Sequence, residues 1–362
     1  YAEHSAYNRA PATPGLWLGP YRVTAYDPAR ELTTVANPYW KGPPVAYKQV
    51  VVRLIGSTPA LMANLLSGDV DVLAQLGFPL TQLIALEKQH GDRFDVFYRT
   101  TGLEHLAPRL DQWPLSDRRV RQAVLQGIDR AQIAGRLFEG HQQVANELLS
   151  PAELDYDPGV KPWPYDPAAS RALLASAGFR PGADGILVAP DGRRLVVTIT
   201  TTAGNTQREL IETVMQSELK ALGVELVIKN EPARTMFGET LRHRAFDGFV
   251  MYAWTPTLNA VPWSFLGSRF IPSEANGWSG INFQGYASPA MDTLLDTARG
   301  ELDPEKRRAD VRGIVALAAQ DLPVLPLFYF GTGIVQPKRM TGLIPPPLAG
   351  NPTAWIEQWR PR

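Results

Sequence analysis

Of its 362 residues none is cysteine, so disulfides, zinc-thiolate sites and cysteine nucleophiles are excluded together. Neither sign of charge is in excess, with 36 basic residues against 36 acidic ones, and nothing in the balance points to nucleic acid or to an anionic membrane surface. No stretch of about eighteen apolar residues occurs, and Tyr1 to Arg9 lacks the basic, apolar and small-residue sections of a signal peptide. A Walker A loop, a dinucleotide fingerprint, a nucleophile elbow and a paired-histidine zinc helix are all missing. The nearest approximations, Gly331-Thr332-Gly333 and Gly277-Trp278-Ser279-Gly280, lack the other positions of those motifs and read as turns. His4, His90, His105, His141 and His243 are scattered without metal-ligand spacing, so no metal is expected. Asp117, Asp129, Asp166 and Asp303 sit where helix capping or surface ion pairs account for them.

What is present is a large apolar fraction, 44%, and 32 prolines that fall mainly between periodic segments. The length favours more than one lobe. Tyr21 to Ala25 and Leu32 to Val35 alternate as two antiparallel strands, and Gln49 to Leu54 is a third. Thr58, as a cap before Pro59, opens a helix that stops at Gly68, and Val70 to Leu73 resumes as a strand. That order predicts a parallel βαβ unit and a mixed sheet. Phe94 to Thr100 reads as a strand, and from Ser116 one long helix carries Val120, Val124, Ile128 and Ile133.

A second α/β sheet is expected further on. Asp166-Pro167 caps a helix ending at Gly178, Leu195 to Thr201 is β-branched, and Thr206 with Glu209 forms a capping box before Ile211, Met215 and Leu219. Val224 to Ile228 and Phe249 to Trp254 supply further strands. Two helical patterns lie between Pro289 and Ala319, and the apolar run Leu322 to Phe330 reads as a return crossing. Nine tryptophans and twelve tyrosines stand out. Tyr252, Trp254 and Trp263 lie at the end of a strand and in the loop beyond it, where open α/β sheets bind ligands. Core packing is the other reading of all three, and spacing alone does not decide.

Several segments carry a resemblance to the family 5 extracellular solute-binding proteins, the receptors of peptide, nickel and related ABC importers. They are Gly19-Pro20-Tyr21-Arg22-Val23 with Asn37-Pro38-Tyr39-Trp40-Lys41-Gly42, Gly68-Asp69-Val70-Asp71, and Pro114-Leu115-Ser116-Asp117-Arg118-Arg119-Val120-Arg121-Gln122-Ala123 through Ile128-Asp129-Arg130. Tyr165-Asp166-Pro167 to Ala177-Gly178-Phe179 and Leu222-Gly223-Val224 agree as well. The resemblance covers nearly the whole chain, except that the family's opening portion has no counterpart before Tyr1. The chain is thus similar to a C-terminal part, with lobe I incomplete and any signal or anchor lying upstream.

The resemblance implies an α/β, two-lobed, type II (Venus-flytrap) periplasmic-binding-protein fold with mixed sheets. Residues 1–104 would begin lobe I, 105–325 would form lobe II and 326–362 would return to lobe I. Hinge residues would be Thr101, Gly102 and Leu103 on one crossing and Leu327, Phe328 and Tyr329 on the other. The ligand residues it points to are Tyr252, Trp254, Thr257, Asn259, Trp263, Asn282, His105 and Arg109. Arg109 stands where the family often has asparagine, and either faces the ligand or is salt-bridged. Asn282 either touches ligand or holds the Ser-Gly turn before it. Thr257 replaces an aspartate that pairs with the free ammonium of peptides in peptide-binding relatives, which argues against a standard dipeptide ligand. The implied function is the periplasmic or otherwise extracytoplasmic substrate-binding component of an ABC importer, without cofactor, monomeric, non-enzymatic and partnered by an inner-membrane permease. A hydrolase, or an adhesin or sensor, on the same fold is the alternative.

Overall fold

The computed structural model describes residues 10–73, 78–161, 163–255, 261–345 and 351–362, with Thr101 described as backbone only. Two compact units emerge. One holds the chain up to Arg99 together with most residues from Thr332 onward, and the other holds Thr100–Gly331.

In the first unit β1 (Tyr21–Asp27), β2 (Glu31–Ala36) and β3 (Gln49–Arg53) form an antiparallel sheet in chain order. Helix α1 (Thr58–Ser67) comes next. Ser57, one residue before the expected Thr58, is its cap and accepts from the Ala60 amide. Gly68 ends it at φ 87°, a left-handed conformation that glycine adopts without strain.

The parallel strand expected at Val70 to Leu73 does not form. The Val70 amide folds back to the Asn64 carbonyl, and Leu73 makes two 3.0 Å bonds to Val335, far along the chain and antiparallel. The returning chain, not β3, therefore claims this segment. A further helix, α2 (Leu80–His90), was not read from the sequence, and it buries Leu80, Leu83, Ile84 and Leu86. A small core of Ile334, Met340, Leu343 and Trp359, with Tyr47, Val72 and Phe97 against it, closes this unit.

The second unit is built on β4 (Phe94–Pro108), β5 (Val196–Thr200), β6 (Glu225–Ile228), β7 (Phe249–Trp254) and β8 (Leu325–Pro337), in the order β8-β4-β7-β5-β6. Both β4 and β8 continue past the unit boundary, so the chain changes unit within a strand each time. Gly331-Thr332-Gly333 lies inside β8 and is no turn, whereas Gly277 does turn the chain at φ 66°.

The expected long helix after Ser116 is two, α3 (Arg118–Gln126) and α4 (Arg130–Phe138). Gly127 sits against Leu222, and a Cβ there would overlap that side chain, while Asp129 caps a new helix by accepting from the Gln132 amide. Tertiary packing therefore interrupts a periodicity that is continuous in sequence. Helix α5 (Pro167–Ser176) is capped by Asp166 as expected.

Helix α6 (Thr206–Lys220) crosses between β5 and β6, which are parallel, and β7 is parallel to β5. Its cap is Asn205, not Thr206, and Glu209 reaches back to the Gly204 amide. Helices α7 (Pro289–Gly300) and α8 (Pro304–Asp321) pack a shared core with Tyr252, Phe265 and Tyr329. Asp117, Asp129, Asp166 and Asp303 all cap helices.

Candidate functional site

Strands β4 and β7 run antiparallel with Leu103 opposite Trp254, Glu104 opposite Ala253 and His105 opposite Tyr252. Strand alternation puts Leu103, His105, Tyr252 and Trp254 on one face and Glu104 on the other. Here the strands approach closely, because a Cβ on Gly102 would overlap the Trp254 carbonyl oxygen. Glycine at 102 is thus a packing requirement.

The first face is aromatic. Trp254 lies flat on Phe265, centroids 4.8 Å apart and planes within 5°, and Phe265 comes from the one-turn helix Trp263–Leu266. His105 meets Phe265 and Tyr252 edge-on at 5.2 and 4.4 Å. Tyr252 in turn touches Phe237 and Phe283 at 6.2 Å each. Such edge-to-face and offset contacts are the favoured geometries for rings with opposed quadrupoles.

Two polar atoms in this cluster have no hydrogen-bond partner among the described residues, His105 Nε2 and the Tyr252 hydroxyl, and both side chains are buried. Burial depresses the His105 imidazole to about 3, so the ring is neutral. Its Nδ1 lies 3.3 Å from the Leu103 carbonyl, which only accepts; the proton is therefore on Nδ1 and Nε2 presents a lone pair. Burial also pushes the Tyr252 hydroxyl well above its ordinary range, keeping it a neutral donor. An acceptor and a donor thus stand unused within a ring-lined cluster.

The other face carries a buried ion pair that sequence reasoning missed. Arg208, in the first turn of α6, grips Glu104 through Nε and Nη2 at 3.0 and 3.2 Å and donates a third bond to Thr202 Oγ1 at 3.2 Å. Burial pushes the Glu104 carboxyl up, and Arg208 pulls the other way. The available signal was a glutamate between the apolar Leu103 and Leu106, but nothing nearby named its partner.

The remaining residues indicated by the sequence are placed elsewhere. Trp263 is half-buried, with the Arg299 guanidinium 4.6 Å over its ring and Phe270 at its edge. Arg109 commits its donors internally: to Asp111 at 2.9 and 3.2 Å, to the Phe246 carbonyl at 3.1 Å and to the Arg244 carbonyl. Of the two readings of Arg109, its geometry is that of the salt bridge. Asn282 is fully buried, donating to the Gly267 and Tyr286 carbonyls at 3.0 and 2.8 Å and accepting from the Tyr286 amide at 2.9 Å, so it pins the turn that follows it, up to Tyr286, and not the Ser-Gly turn before it. Thr257 and Asn259 lie outside the described residues.

On the crossings, Leu103 is buried in the core beside Gly102. Leu327, Phe328 and Tyr329 are stitched to Gln143, Val144 and Ala145 by a short antiparallel ladder. A groove of about 1190 Å³ in the first unit runs along the edge strand β3, past Val50, Val52, Leu54 and Val72, and none of the residues indicated by the sequence lines it. Among the described residues no three His, Asp or Glu side chains converge to hold a metal.

Known proteins resemble this chain in sequence and in fold. Over 329 residues the chain is 25% identical to the oligopeptide-binding protein AppA of Bacillus subtilis, covering 90% of this chain and 58% of that one. It is 22% identical over 357 residues to the nickel-binding periplasmic protein of Escherichia coli, covering 96% and 66%. The oligopeptide binding protein from Thermus thermophilus, solved with a pentapeptide, superposes with a TM-score of 0.80 at 27% identity, over 95% of this chain and 61% of that one. NikZ from Campylobacter jejuni, solved with Ni(L-His), gives a TM-score of 0.86 over 99% of this chain and 70% of that one, at 22% identity, a likeness of fold alone. The chain therefore spans about 58% of the length of the first of these relatives. The fold is that of the two-lobed α/β periplasmic binding proteins. A profile described as bacterial extracellular solute-binding proteins, family 5 Middle, matches residues 2–277, three-quarters of the sequence, and the chain belongs to that family.

Proposed function

We propose that this chain forms most of the extracytoplasmic substrate-binding component of an ABC importer, a receptor that takes up a small organic solute and delivers it, as a monomer, to an inner-membrane permease. Family membership over residues 2–277 is the observation that carries this reading. Relatives named for oligopeptides, di- and tripeptides and nickel set the range of solutes. Binding proteins of this kind make and break no bond; ligand affinity shifts a conformational population, and no catalysis is invoked.

The ring cluster of Trp254, Phe265, Tyr252 and His105 favours a solute held by stacking and neutral hydrogen bonds. Charges near it are internally neutralised, Glu104 by Arg208 and Arg109 by Asp111. Thr257, a neutral hydroxyl where peptide-binding relatives carry a carboxylate, points the same way. The proposal is therefore a peptide-like or other organic ligand without a free terminal ammonium.

Native mass spectrometry of the receptor purified from its source tests this through the mass of a copurified solute. Calorimetric titration with N-acetylated and free-amine forms of one peptide series then compares the two classes. Tighter binding of the free-amine form would overturn the neutral-ligand reading, and Thr257→Asp is expected to shift preference toward that form.

A further inference from the structure

The segment from Gln143 to Val160 is held to β8 by the Tyr329 hydroxyl, by two backbone bonds and by Arg130 of α4, which donates to the Ala145 and Pro326 carbonyls at 3.3 and 2.7 Å. Tyr329 donates to Asn146 Oδ1, and its oxygen accepts the Asn146 and Glu147 amides, each at 3.3 Å. Backbone bonds from Ala145 to Leu327 and from Tyr329 to Gln143, at 3.1 and 2.9 Å, flank that contact. Tyr156 packs edge-on against Tyr329, ring centroids 5.8 Å apart, and shares Asn146 Oδ1.

Two carboxyl groups close this segment on itself. Glu147 Oε1 accepts the Asp157 amide and Glu153 Oε2 accepts the Ser150 amide, both at 2.6 Å. Both side chains are buried, and Glu147 Oε2 and Glu153 Oε1 have no hydrogen-bond partner among the described residues.

The neighbouring charges relieve them little. Asp157 and Glu153 push Glu147 up and Asp155 pushes Glu153 up, while Arg312 opposes them weakly, and at Glu147 alone. The arginines of α8 are committed to the aspartates, Arg307 to Asp155 at 2.8 Å and Arg312 to Asp157 at 3.4 Å, while Arg308 bonds Glu305 at 3.1 Å and lies 4.0 Å from Asp155. Tyr329 and Tyr156 contribute only neutral hydroxyls. An ionised carboxylate with a bare, buried oxygen is strongly disfavoured, whereas a carboxylic acid is tolerated.

We propose that residues 143–160 form an acid-closed latch: with Glu147 and Glu153 protonated it grips Tyr329, and as pH rises the two groups ionise and the segment lifts off β8, just before that strand leaves the second unit. Burial, reinforced by the surrounding acids, raises Glu147 to about 8 and Glu153 to about 7. Both values are raised relative to the ordinary 4.5 of an opened, solvated group. Closure is therefore fully supported below about pH 4.5 and weakens as pH climbs toward 7 to 8. Each carboxyl contributes about a tenfold change in the opening ratio per pH unit across that window.

The absence of cysteine provides a clean test. Ser150→Cys in the full chain places a buried thiol in the latch, and Ala172→Cys on the exposed face of α5 serves as a reference for thiol ionisation. Labelling with a methanethiosulfonate reagent is followed from pH 5 to 9 as the ratio of the two rates. That ratio is expected to rise at least about tenfold per pH unit between 5 and 7 and to level off above about 8. Glu147→Gln or Glu153→Gln alone should each remove half of the logarithmic slope, and both together should leave a low, flat ratio. A flat ratio in the Ser150→Cys protein itself, or an undiminished slope in the double glutamine variant, would overturn the latch.

Discussion

Replacing Arg208 by methionine should unfold the second unit far more easily at pH 7 than at pH 5. The substitution removes three hydrogen bonds, two to Glu104 and one to Thr202, and leaves a carboxylate with 1% of its side chain exposed and no cation beside it. Breaking one partner of such a pair costs about 3–5 kcal/mol, most of it the uncompensated charge. Glu104 escapes part of that by taking up a proton. Its folded-state pKa then rises further above the ordinary 4.5, so the variant's stability falls with increasing pH from there upward and the deficit nearly closes near pH 4.5. Glu104→Leu alone strands Arg208 by the same logic. The double variant Glu104→Leu/Arg208→Met buries two apolar chains of similar volume and should recover to within about 1 kcal/mol of the parent. Urea unfolding followed by tryptophan fluorescence at pH 5, 6, 7 and 8 supplies the four-member cycle. Single variants that each cost under about 1 kcal/mol, or a double variant as unstable as the sum of the singles, would refute the claim that the pair is desolvated and coupled.

Other consequences arise from the same geometry. Gly102→Ala forces a methyl into the Trp254 carbonyl and should lower stability by about 1–3 kcal/mol in thermal unfolding while abolishing solute binding in a titration. Asn282→Ala strips three buried hydrogen bonds from the turn carrying Tyr286, with an expected loss of about 3 kcal/mol by chemical denaturation. Trp254→Ala removes the ring stacked on Phe265 and should weaken solute binding at least tenfold by calorimetry; Trp254→Phe, which retains a stacking face, should retain most of the affinity. A Trp254→Ala protein that binds as the parent does would mean that the ring serves packing alone.

Local chemistry was legible from the amino-acid order. The parallel unit of β5, α6 and β6 was legible from the order of its elements, although Val196 pairs with Glu225 on the far side of the helix. The caps at Asp117, Asp129, Asp166 and Asp303 and the glycine stop after α1 depend on residues within a few positions of one another. Their hydrogen bonds close over one turn of chain, so the residue types suffice to announce them. Even so, Ser57 and Asn205 took the caps expected of Thr58 and Thr206, because neighbouring oxygens compete for the same free amides.

Pairing over long separations was not legible. Nothing around Val70 to Leu73 states that Val335 will bond to it, and nothing around Glu104 names Arg208. The break between α3 and α4 answers to Leu222, and the grip on Tyr329 comes from a segment more than 180 residues earlier. The sequence by itself determined the family, the alternation of strands and helices, and an aromatic strand end at Tyr252 to Trp254. The tertiary structure alone decided which charges neutralise each other, which rings stack, and which buried polar atoms are left unused. Those outcomes depend on desolvation, and desolvation is set by whatever the folded chain brings from elsewhere to cover a group.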